Sequence, residues 1–144
     1  MFYKLKLIDA ADGRIELNDD DGKKRLTDVK FCLKQDTNLA SERASDLRCL
    51  IDISGVIDDE EVQTQTRLML EWSQETRDLK KVYKHLTLEV WNGNDDLARR
   101  YELDNVYCVD YSEFFGGEGD NKGKFELKLT QKKGNIGSIK FASN

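Results

Sequence analysis

A chain of 144 residues with 35% charged residues, a formal net charge of −5 and a pI near 5.0 is sized for one core under a well-solvated surface. The acidic balance argues against a nucleic-acid partner, whose phosphates demand a basic stripe, and no run approaches the roughly 20 apolar residues of a membrane-spanning helix. Its three cysteines, Cys32, Cys49 and Cys108, are odd in number and far apart, which argues against a disulfide framework, and the absence of proline leaves long strand ladders uninterrupted.

Phe2 to Ile8 alternates Tyr3, Leu5 and Leu7 with Lys4 and Lys6. That period of two belongs to a half-buried strand and not to the continuous apolar run of a signal peptide, so folding in the cytoplasm is expected. Asp12-Gly13 predicts a turn into a short strand, Arg14 to Leu17, and Asn18 to Gly22 breaks the chain again. Lys23, Lys24 and Arg25, next to Asp19, Asp20 and Asp21, read as a solvated turn. Val29, Phe31 and Leu33 then face one way against Lys30, Cys32 and Lys34. Leu47, Cys49, Ile51 and Ile53 do the same against Arg48 and Asp52. The polar stretch between these strands, Gln35 to Asp46, is too long for a tight hairpin, and connections of that length are more often functional than idle.

From Asp58 the period changes. Asp58 can cap a helix with Glu61 three residues on, and Arg77, Lys80 and Lys81 suit its far end. Val62, Thr66, Met69, Trp72, Thr76 and Leu79 make one buried stripe at spacings of three or four. Strands then return. Leu86, Leu88 and Val90 alternate with His85, Thr87, Glu89 and Trp91, and Asn92 to Asp95 supplies a turn. Arg99 to Leu103 and Val106 to Tyr111 are predicted as two strands, Gly116 to Asn121 as a loop, and Phe125, Leu127 and Leu129 as the inward side of another strand. Ile136 to Phe141 is the last. The pattern predicts a mainly β fold over residues 1–144, a β-barrel of two antiparallel sheets or a sandwich, with one amphipathic α-helix packed on it.

Enzymatic machinery is not legible. His85, the single histidine, reads as a partly exposed strand residue, and without a C-x-x-C pair the cysteines lack the spacing of a zinc site. Aligning Asp19 to Gly22 with a calcium loop puts Leu17 at position one and Asp28, not glutamate, at position twelve. The glycines of Gly116 to Lys124 lead into a strand, whereas a phosphate-cradling loop leads into a helix, and no Gly-x-Ser-x-Gly elbow exists. Neither an enzyme nor a metal or cofactor is expected.

Two segments carry more than strand patterning. Val29-Lys30-Phe31-Cys32-Leu33-Lys34-Gln35-Asp36-Thr37-Asn38, followed by Ala40, Ser41, Arg43 and Ser45, precedes the helix with its Glu71-Trp72 pair, and Tyr107-Cys108-Val109-Asp110-Tyr111-Ser112-Glu113-Phe114-Phe115 follows it. Together, over about residues 27 to 131, they resemble the tube protein of type VI secretion systems, the Hcp family, and in particular its Bacteroidetes-type TssD branch. Glu42 stands where that pattern has glycine, Ala44 where it has proline, and the hairpin of residues 2 to 17 is longer than the family's usual start. The resemblance implies a hexameric ring whose copies stack into a hollow tube. It also implies a sheath, baseplate and spike as partners, effector cargo, and export by contraction without a signal peptide. On that reading the loop of Gln35, Asp36, Thr37, Asn38, Leu39, Ala40, Ser41, Glu42 and Arg43 bridges stacked rings, since Asp36, Glu42 and Arg43 can pair across a rim. The alternatives are a tail-tube subunit of a phage or phage-like contractile particle, and a monomeric ligand-binding β-domain with Trp91 and Tyr101 as a sugar platform.

Overall fold

The computed structural model describes residues 1–20, 22–35, 47–93, 95–117, 122–133 and 140–143. Strands β1 (Phe2–Asp9) and β2 (Arg14–Asn18) form the first hairpin, with Leu5 opposite Leu17 and Leu7 opposite Ile15. Asp9 N–H closes its turn on the Gly13 carbonyl at 3.0 Å, and Asp12 takes a φ of 64°, a left-handed value that aspartate tolerates. Six further strands follow: β3 (Leu26–Gln35), β4 (Leu47–Ile57), β5 (Lys84–Trp91), β6 (Leu97–Phe114), β7 (Gly123–Gln131) and β8 (Lys140–Ala142).

Every pairing is antiparallel, in the order β2-β1-β5-β6-β7-β4-β3, with β8 also on β6. The ladder is therefore one continuous eight-stranded sheet instead of the expected two. Among the described residues no ladder joins β2 to β3 to close it into a barrel. The reason is β6. Predicted as two strands, it runs unbroken from Leu97 to Phe114, pairing β5 with its first half and β7 with its second. Asn105, at φ 55°, sits where the partner changes.

The sheet curls until its halves share one core. Leu5, Leu7, Leu17, Leu86 and Leu88 from one half meet Ile51, Ile53, Leu127 and Leu129 from the other, all essentially fully buried. Phe31 of β3 stacks on Tyr101 of β6, although β7 and β4 lie between those strands in the ladder.

Helix α1 (Glu60–Gln74) buries Val62, Thr66, Met69 and Trp72, four members of the predicted stripe. Its cap is Asp59, not Asp58: the Asp59 carboxylate accepts the Val62 N–H at 2.9 Å, while Asp58 reaches Lys122 at 3.5 Å. The helix also stops sooner than the stripe suggested. Glu75 turns the chain by accepting the N–H groups of Arg77 and Asp78 at 3.1 Å, so Thr76 falls outside the helix and Arg77, Lys80 and Lys81 do not occupy its last turn. Leu79 opens a separate short helix α2 (Leu79–Val82) and is 65% exposed. Gln65 on α1 accepts the N–H of Glu16 at 2.9 Å, so the helix covers the outer edge of β2 and satisfies a group that an open edge would leave bare.

Candidate assembly surfaces

The turn from β2 into β3 is a rigid corner. Asp19 accepts the N–H groups of Arg25 and Leu26 at 2.8 Å on one oxygen, and those of Tyr3 (3.0 Å) and the Lys24 ammonium (2.7 Å) on the other. Arg25 is buried, contrary to the solvated turn expected of the Lys23-Lys24-Arg25 run, because it donates to the Asn18 carbonyl and to Asp20, Asp59 and Glu61. Burial by itself would lower its pKa, but those carboxylates hold it above its ordinary value. Burial likewise pushes Asp59 up, and the Val62 N–H, Lys23 and Arg25 outweigh it, drawing the carboxyl down to about 2. This corner fixes where β3 starts.

At the other end of β3, Gln35 pairs with Leu47 of β4, so both ends of the long connection leave the sheet side by side. Asp36, Thr37, Asn38, Leu39, Ala40, Ser41, Glu42 and Arg43 lie outside the described residues.

The face of β3, β4, β7 and β6 turned away from the core is polar and ordered by register. Lys30 pairs with Asp52, Asp52 with Lys128, and Lys128 with Asp110, a row of alternating charge across the strands. The next row reads Asp28, Ser54, Glu126 and Ser112, and above it opens a shallow trough of about 650 Å³ with Phe114 as one wall. On the opposite, core side of β4, Gly55 lets the Arg25 carbonyl and the Phe125 ring pack close, since a Cβ there would meet both.

Apolar side chains reach solvent in a few places. Phe114 and Phe115 are each 63% exposed where β6 ends, and Gly116 and Gly117 stop the strand with φ values of 144° and 101°. The Phe115 ring lies over Gly123, with Arg67 and Leu70 of α1 alongside. Beyond the end of α1, Leu79 borders a groove of about 330 Å³ whose walls include Tyr83 and Tyr107, packed edge to face at 5.9 Å. Sequence reasoning did not single out this aromatic strand end. The available signal was two phenylalanines running straight from a strand into two glycines.

The remaining candidates are placed simply. His85 is exposed and its Nδ1 lies 2.6 Å from Asp104. Cys32, Cys49 and Cys108 are free thiols; burial pushes Cys49 up to about 12 and Cys108 up to about 11. The sugar platform fails, because Tyr101 turns to the core side against Phe31 while the Trp91 N–H bonds Glu89 and its ring lies under Lys4. Also unforeseen is a buried ion pair, Lys84 to Asp9 at 2.7 Å, with the Lys84 ammonium over the Trp72 ring. Burial raises the Asp9 pKa, but Lys84 and the N–H groups of Gly13 and Ala11 hold it below its usual range.

No protein-family model and no curated protein sequence matches this chain. Solved structures do. Hcp1 from Flavobacterium johnsoniae is similar with a TM-score of 0.58 and 14% identity, over 100% of this chain and 97% of that one. A crystal structure of an Hcp protein gives a TM-score of 0.62 and 6% identity over 100% and 99%. A chain of the PVC sheath-tube complex, an extracellular contractile injection system in its extended state, gives 0.53 and 10% over 99% and 88%. At these identities the likeness concerns architecture, and from end to end the chain has the fold of the Hcp structures.

Proposed function

We propose that this protein is a tube subunit of a contractile injection apparatus: six copies close a ring, and rings stack into a hollow tube. The observation that supports the reading most is the shared fold over the whole length of both Hcp structures, joined to the two Hcp-like segments around the helix. The role is structural and not enzymatic. In a ring the curled sheet is the barrel wall of each subunit, its two layers being the halves joined by β6. The partners are further copies of itself, a sheath, baseplate and spike, and the cargo; assembly is cytoplasmic and export follows contraction.

Stacking of rings falls to the connection from Gln35 to Arg43. Its anchor points sit together at one end of the β3-β4 hairpin, and Asp36, Glu42 and Arg43 supply charges of both signs. Each exposed pair contributes under ~1 kcal/mol, yet copies repeated around a ring act together. Electron microscopy and light scattering test the whole reading. Rings and tubes are expected from the parent, and single rings at raised salt or on replacing Asp36, Glu42 and Arg43 together by alanine. A species that stays monomeric at high concentration overturns the tube, and tubes of equal length in the variant overturn the loop's part. The likeness to the PVC sheath-tube chain favours, as a second reading, a tail-tube subunit of a phage-like particle. The genes flanking this one separate the two settings.

A further inference from the structure

Among the exposed apolar groups, which also include Met1, Leu33 and Val109, two unlike patches stand at the ends of elements. One is a protrusion, Phe114 and Phe115 at the end of β6, on opposite faces of the strand and both mostly in solvent. The other is a hollow, the groove beside Leu79 walled by Tyr83 and Tyr107. Phe115 lies along Thr66, Arg67 and Leu70, in the middle turns of α1, whereas the groove begins at Trp72 and Ser73 in its last turn. A copy that gives its protrusion to a neighbour therefore keeps its own groove open. Each border carries both signs in complementary places: Arg67 and Glu113 stand beside Phe115, while Glu75 lines the groove and the Lys132 ammonium lies over its Tyr83 ring. The N–H groups of Asp78 and Arg77 hold the Glu75 carboxyl below its usual range, so it is anionic at neutral pH.

Resting on the tube reading, we propose that the β6 tip is one half of a head-to-tail contact between copies: Phe115 of one subunit seats in the groove between Leu79, Tyr83 and Tyr107 of the next, with Arg67 facing Glu75 and Phe114 at the rim. Aromatic side chains bury about 150–250 Å² each, so two phenylalanines with Leu79 and the tyrosines supply a few hundred of the roughly 800 Å² per partner that a stable interface uses. The polar rim supplies the rest. Because the two patches differ, the contact is heterologous, and such a contact repeats from copy to copy until the rotation closes a ring.

The test compares the parent with a tip variant, Phe114→Ser with Phe115→Ser, and a groove variant, Leu79→Asp, by sedimentation velocity, with circular dichroism as the check on folding. All the altered side chains are mostly in solvent, so the fold is retained. The parent assembles, and each variant remains a monomer at tenfold the concentration at which the parent does so. Mixed in equal amounts, the variants form a heterodimer and nothing larger, since one intact tip meets one intact groove and no second pair remains. Arg67→Glu weakens assembly about tenfold, whereas Arg67→Lys, which keeps the charge, does not. Variants that assemble like the parent, or a mixture that stays monomeric, overturn this contact and leave the tube reading standing; a parent that never assembles overturns both.

Discussion

Phe31 and Tyr101 stack with ring centroids 4.3 Å apart and 17° between their planes, joining strands β3 and β6 across the core. The contact ties one edge of the sheet to its middle without a backbone hydrogen bond. A double-mutant cycle with Phe31→Leu and Tyr101→Leu, followed by urea unfolding, is expected to show a coupling of about 0.5–1.5 kcal/mol. A coupling of zero would mean that the halves are held together by area alone.

Asp19→Ala strands the N–H groups of Tyr3, Arg25 and Leu26 at once. At about 1–3 kcal/mol for each buried donor left without an acceptor, the loss of stability is at least ~3 kcal/mol. Asp19→Asn keeps one acceptor oxygen and loses less. Chemical denaturation of the three proteins orders them.

Acid weakens the fold through Asp59. Its carboxyl is held at about 2 against an ordinary 3.8, a folded value below the unfolded one. The stability it contributes is therefore complete above about pH 4 and is lost as pH falls from there towards 2, about 2 kcal/mol in all. Asp9, also lowered, adds to the same slope with the same sign. Melting curves between pH 6 and pH 2 follow the loss, and Asp59→Asn flattens the slope.

Gly55→Ala places a methyl group against the Arg25 carbonyl and the Phe125 ring, backbone and packed core that do not give way easily. The expected cost is about 1–3 kcal/mol, read as a lower melting temperature. Gly123→Ala meets only the exposed Phe115 ring and the Ile57 side chain, and should cost less.

The strands and the helix were legible because burial on one side imposes a period, and the alternation of Leu5 with Lys6 or Ile51 with Asp52 records it directly. What periodicity misses is chemistry at element ends. Asp58 and Asp59 are equally good caps on paper, and only the fold shows which one faces Val62 N–H. Asp104-Asn105 resembles a turn between two strands, yet asparagine's tolerance of a left-handed φ lets β6 pass through it. A run such as Lys23-Lys24-Arg25 looks the same whether solvated or buried, because the partners that bury Arg25, Asp59 and Glu61, stand over thirty positions away. The two Hcp-like segments were readable, but not that the second ends in an exposed aromatic pair, since exposure depends on what fails to cover it.

β6 gives both halves of the sheet a single backbone, and the consequence is mechanical. Its ladder bonds to β5 and β7 lie across the strand, so a push along the strand loads them together in shear instead of peeling them one at a time. Parting the halves requires one of these ladders to fail as a whole. A domain built this way answers a sudden load along β6 as one stiff body, with no loose seam between its halves.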